Sequence, residues 1–261
     1  MTGRNGFLSI MSILQCVLVT GLSINPANAE SIDFVAGLSA GYTLVKFPAK
    51  LDSEAVYPSY LLSGSASYGQ FYVSYGYADS IEDASISEEE DVGKANRNDQ
   101  DLSLGYRLNK SISLFIGHKN SETNVDFRRR DSDLVRDEYY RQNGVFAGLS
   151  YGFTFKNRSN LNLSMAYVDL ATKNRFMSDV ESEDDDEGGD EDEFDDITGK
   201  VTGSANGFSA SISWIMPLSD SLAFKTAYKI NDYQETIKFE GKRYPSDTKV
   251  TMFTIGLLKV F

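Results

Sequence analysis

The chain has a single histidine, His118, in the run Ile116-Gly117-His118-Lys119-Asn120-Ser121. An imidazole is the usual general base near neutral pH, and a serine in reach would be its natural partner. Ser121, however, lies three residues on and takes the opposite phase in an extended segment, so the two do not share a face. His118 instead shares phase with Ile112, Leu114 and Ile116, which sets it on an apolar face near an interface. No G-x-S-x-G, P-loop or metal-ligating His pair occurs. An enzyme, whether lipid-modifying or proteolytic, is the last of the readings that follow.

The acids form the second chemical feature. Residues 181–196 carry 12 acids among 16 positions, and residues 79–91 carry seven more, so these two segments hold 19 of the 38 Asp and Glu. Clustered carboxylates attract hard divalent cations, with Asp184, Asp185, Asp186, Glu187, Asp190, Glu191 and Asp192 as the candidates. The EF-hand pattern does not fit. With Gly188 at the sixth position, Glu183, Asp185 and Glu187 fall at the first, third and fifth, but Phe194 falls where the bidentate Glu is required. Any cation is therefore held loosely, and no other cofactor is expected. A basic cluster, Arg128, Arg129 and Arg130, is the candidate contact for lipopolysaccharide phosphates, or pairs with the acid segments. The net charge of −13 argues against a nucleic-acid partner, which needs a basic face.

The elements that carry these groups follow from periodicity. Arg4 precedes an uncharged apolar stretch from Phe7 to Leu22 and an Ala27-Asn28-Ala29 site, the pattern of a secretory signal peptide cut after Ala29. Residues 1–29 are thus the expected signal, and residues 30–261 the mature domain. The only Cys, Cys16, lies in the signal, so no disulfide is expected in the mature chain. The mature chain holds no apolar run long enough for a spanning helix, about 20 residues. It alternates instead: Phe34, Ala36, Leu38, Ala40 and Tyr42 form one face, and Val35, Gly37, Ser39, Gly41 and Thr43 the other. The same rhythm recurs in segments around 71–78, 102–116, 145–153, 161–167, 208–216, 222–228 and 253–261.

Periodicity alone also fits a soluble sandwich. The connections decide between them. Short turns near 68–70, 108–110, 156–159 and 218–220 alternate with long polar connections near 47–56, 79–99, 120–140, 177–200 and 231–247. Short turns at one end and long loops at the other are the layout of an all-β, antiparallel, up-and-down transmembrane β-barrel. Five long connections and four turns join ten strands, with eight or twelve as alternatives, and the acid segments (about 79–99 and 177–200) form long extracellular loops. The inner face is mostly Gly, Ser, Ala and Thr. Its charged members are Asp33, Arg107, Lys119, Lys225 and Lys229, a basic surplus that would favour anions if the lumen conducts. Alternatively Tyr72, Phe115 and Arg107 fill it.

The chain closes Thr254-x-Gly256-x-x-Lys259-x-Phe261. This ending resembles that of the Gram-negative outer-membrane β-barrel families, small monomeric and porin-like barrels among them. Their last strand carries a polar-x-Gly-x-x-aromatic-x-aromatic assembly signal. Lys259 stands where an aromatic or apolar residue is usual, and its long stem can snorkel to the interface. The resemblance implies insertion in the bacterial outer membrane by the assembly machinery, contact with outer-membrane lipids and lipopolysaccharide, and a monomer. The function expected is a structural or surface-interaction role that presents acidic loops outside the cell, with a narrow porin-like channel as the alternative.

Overall fold

The computed structural model describes residues 32–46, 54–88, 91–129, 135–176, 197 and 199–261; side chains at 87–92 and 127–137 are left out of the description. The expected signal segment 1–29 and the acid run 181–196, with all seven cation candidates, lie outside the described residues.

Eleven strands run in chain order: β1 (Asp33–Lys46), β2 (Glu54–Tyr68), β3 (Phe71–Ser80), β4 (Ala84–Glu88), β5 (Asp91–Arg107), β6 (Ile112–Arg129), β7 (Val135–Thr154), β8 (Asn160–Phe176), β9 (Gly199–Pro217), β10 (Leu222–Phe239) and β11 (Lys242–Val260). Each pairs antiparallel with the next wall member, β1 pairs with β11, and β3 pairs with β5, so the sheet is closed. β3 and β4 share one place in the wall. β3 pairs the lower part of β5, up to Asp79 opposite Asn98, and β4 pairs the upper part, from Ala84 opposite Ala95. Residues 80–83 therefore face only Asn96 and Arg97, which makes a bulge. The barrel has ten wall positions, the number expected.

Register fixes its shape. A path from Val45 through Val250, Asn231, Ser209, Ala166, Gly148, Phe115, Gly105, Tyr72 and Ser67 returns to β1 at Asp33, 12 residues below its start. For ten strands that stagger sets a tilt of about 40°. The hairpin between β10 and β11 closes on Glu240 and Gly241, both with positive φ (48° and 81°), as a tight two-residue hairpin turn demands. A second glycine has a packing role: Tyr72 lies over Gly105, where a Cβ would overlap its ring.

The pattern of a long strand reverses partway up the wall, as β8 shows. On β8, Leu163, Met165 and Tyr167 face out and are exposed, above them come Asp169 and Lys173, and the inner face passes from Asn162 and Ser164 to Val168, Leu170 and Phe176. Below the switch the barrel is apolar outside and small or polar inside, as hydrocarbon requires. Above it the barrel has a soluble protein's arrangement. Its upper lumen is closed by an apolar cluster that includes Val45, Tyr57, Ile86, Val125, Phe176, Ile237 and Tyr244.

This explains a departure from expectation. Residues 79–99, read as a loop, lie largely in β3, β4 and β5, and the connections near 120–140 and 231–247 are largely strand as well. Outward positions above the bilayer meet water, so their polar composition imitates a loop while the inward positions, such as Ala84, Ile86 and Ala95, keep the alternation. Leu149 is the middle one of the outward apolar positions 145 to 153 on β7, whereas Ala171 faces out above the apolar belt. Leu149→Arg should cost roughly 2–4 kcal/mol in urea unfolding from lipid vesicles, and Ala171→Arg no more than about 0.5 kcal/mol.

Candidate functional site

Three successive inward positions of β5, Arg97, Asp99 and Asp101, stand directly opposite Thr123, Ser121 and Lys119 of β6. An extended strand brings i, i+2 and i+4 to one face, so two adjacent strands line up six polar side chains on the lumen wall. Arg97 grips Asp99 with two donors, Nε to Oδ2 and Nη2 to Oδ1, each at 2.8 Å, and its Nη1 donates to Thr123 Oγ1 at 2.8 Å. Ser121 Oγ donates to Asp99 Oδ1 at 2.6 Å. Lys119 Nζ bridges the two acids, 3.2 Å from Asp99 and 3.3 Å from Asp101. Arg97, Asp99 and Lys119 are each at most 7% exposed. Arg97 is aimed by the neighbouring bulge, where its own backbone N–H donates to Ser80 Oγ at 3.2 Å.

The network then crosses the lumen. Lys229 of β10 donates to Asp101 Oδ2 at 2.6 Å. β10 and β5 are five places apart in a ring of ten, so this ion pair joins opposite walls. Above the strut, Glu235 accepts from Asn174 Nδ2 at 2.8 Å, and Tyr140 donates to Glu138 at 2.8 Å. Below it lies a ladder of directly opposed serines, Ser113 with Ser150 at 2.6 Å and Ser164 with Ser211 at 2.7 Å. A cavity of about 250 Å³ lies against the strut, lined by Asp101, Lys119, Lys225 and Lys229 among others. At the foot of the barrel, Val35, Ile215, Ala223 and Leu258 form a second apolar seal.

The expected luminal charges are partly gathered here. Lys119, Lys225 and Lys229 face the cavity. Arg107 lies lower, 5.8 Å over the Tyr72 ring, with Nη1 3.4 Å from the Gly69 carbonyl, and Asp33 opens β1 opposite Ser67, away from the network. The basic surplus expected of the lumen is offset: Asp99, Asp101, Glu138 and Glu235 also face inward. They were missed because 79–99, 120–140 and 231–247 were read as long connections, and Asp101 lies at the edge of the first. The phase of 97, 99 and 101 with Ser103, Gly105 and Arg107 is the signal that points to them. Tyr72 and Phe115 do occupy the lumen, as the filled alternative required.

Other candidates stay apart. His118 faces out, its Nε2 3.3 Å from Asn143 Oδ1, with neither an acid nor Ser121 as its partner among the described residues. Arg130 lies outside the described residues, and of Arg128 and Arg129 only the backbone is described. Among the described residues no group of three His, Cys, Asp or Glu could hold a metal. Thr254 and Gly256 face the lumen on β11, Lys259 faces out and donates to Ser221 Oγ at 2.9 Å, and Phe261 lies exposed with its N–H on the Phe34 carbonyl at 2.9 Å.

Removing one member of a buried ion network leaves an uncompensated charge. Asp99→Ala should therefore destabilise the barrel by roughly 3–5 kcal/mol in chemical unfolding, and adding Arg97→Met should restore at least part of the loss.

No protein-family model and no curated protein matches the chain. Solved structures do. The outer membrane protease OmpT from Escherichia coli is 12% identical with a TM-score of 0.50, over 93% of this chain and 99% of that one. The β domain of the Bordetella autotransporter BrkA is 10% identical with a TM-score of 0.47, over 89% and 100%. At these identities the likeness is one of fold. With ten closed antiparallel strands and an apolar outer belt, the chain has the fold of a bacterial outer-membrane β-barrel.

Proposed function

We propose that the protein is a closed, non-conducting barrel of the outer membrane whose role is played by its surface above the bilayer. The observation that carries this reading is the filling of the described lumen at successive levels. An apolar seal stands at the foot, an ion strut crosses the middle, and an apolar cluster closes the top. A conducting path would have to break a buried, multiply bonded ion network, which is costly. His118 hydrogen-bonds to Asn143 and to no acid among the described residues, so it lends no support to acid–base chemistry. Recording from the refolded protein in planar bilayers should show no discrete conductance steps; reproducible single-channel steps would remove this reading in favour of the channel.

A particular surface feature favours anionic lipid as the contact. Outward-facing cations stand directly opposite one another above the apolar belt, Arg141 with Lys173 and Arg175 with Lys200. Opposed like charges destabilise a sheet unless an anion lies across them, and we take lipopolysaccharide phosphate, which Arg and Lys bind with charge-assisted hydrogen bonds, to be that anion. Arg141 is shared with Glu122 at 2.9 Å, while Lys173, Arg175 and Lys200 have no ion pair among the described residues. Lys173→Glu with Lys200→Glu should weaken binding to lipopolysaccharide micelles by about tenfold at low salt. Unchanged binding would remove the lipid contact.

A further inference from the structure

The cavity beneath the strut has a charge that its own walls do not answer. Asp99 and Asp101 serve Arg97, Lys119 and Lys229. Lys225 also faces the cavity, yet it has no ion pair and no hydrogen bond to any described residue; its cross-strand partners are Gly256 and Ile215, which offer none. Four cations thus stand around two acids. Ser63 Oγ, another hydroxyl of this wall, is buried and without a partner. Unmatched donors that line one cavity favour an anion, because a charge held partly away from water is costly until it is paired.

The remaining wall restricts the kind of anion. Leu61, Phe115, Phe146 and Met252 line one part of the same cavity, beside hydroxyls such as Ser74 and Ser103, so an anion with an apolar body can use both kinds of surface, which a bare, strongly hydrated inorganic ion cannot. The volume of about 250 Å³ exceeds the roughly 150 Å³ that takes up benzene in an apolar core. We infer that this cavity binds a small monocarboxylate, its carboxylate on Lys225 and its body against Phe115, Phe146 and Met252. The site is separate from the surface assigned above, and its occupancy does not require the barrel to conduct.

The experiment is calorimetry on the mature chain refolded in detergent micelles, with benzoate, its neutral analogue benzamide, and inorganic phosphate as probes. Benzoate should bind saturably, at one per chain, and about tenfold more tightly than benzamide or phosphate. Lys225→Met should weaken benzoate by about tenfold while Lys225→Arg retains it, both variants keeping the folded form's distinct gel mobility before boiling. If Lys225→Met does not fold, the ratio of benzoate to benzamide on the unaltered protein carries the test. Absence of saturable benzoate binding, equal affinity for benzamide, phosphate bound as tightly as benzoate, or benzoate unaffected in a folded Lys225→Met would each overturn the assignment.

Discussion

Every backbone N–H and C=O at membrane depth must find its partner within the protein, because an unpaired group in hydrocarbon costs several kcal/mol. The structure meets that constraint at two seams. One is between β1 and β11, where Val35 to Lys46 pair with Val260 to Lys249; the other is between β3 and β5. With both closed there is no edge. The 12-residue stagger, the tilt and the crowding of the inner face follow from that closure, and small residues such as Gly41, Gly105 and Gly148 are placed where the walls or rings approach most closely.

Closure alone leaves the register open, since a slip of one residue keeps every hydrogen bond but turns each side chain to the other face. Here such a slip would turn Arg97, Asp99, Asp101 and Lys119 to the outer face and draw Leu102, Leu104 and Ile116 into the lumen. The opposed pairs Arg97–Thr123, Asp99–Ser121 and Asp101–Lys119 therefore act as a registration device between β5 and β6. The Lys229 strut ties that pair of strands to the far wall. A buried ion pair adds little net stability compared with apolar packing, but in a wrong register its members would be left unpaired, which is costly.

The upper third of the barrel obeys a different solvent. Once the outer face meets water, the inner face can hold an ordinary apolar core, and Tyr57, Val125, Phe176 and Ile237 supply it. The strands can then continue well beyond the bilayer without loss, carrying charged side chains outward. Part of the net charge of −13 is displayed on this wall, through residues such as Asp79, Asp126 and Glu122, and is not confined to loops.

Alternation and two classes of connection pointed to an antiparallel barrel of ten wall positions and left eight or twelve open. They also placed Gly37, Ser39, Ser74, Lys119, Lys225 and Lys229 on the inner face, because a period of two is a local property of an extended chain. They misplaced the strand ends: polar outward positions above a bilayer and polar loop positions have the same composition. The partners of the luminal lysines were beyond reach for a deeper reason. Asp101 and Lys229 are 128 residues apart and belong to opposite walls, so their meeting depends on strand number and stagger acting together, which no local pattern encodes. The sequence by itself determined which side of the wall the residues of the recognised strands face, since that needs only the alternation of a strand. Only the tertiary structure decided which charges are paired across the lumen and which one, Lys225, is left facing a cavity, because pairing is set by how the closed ring brings distant walls together.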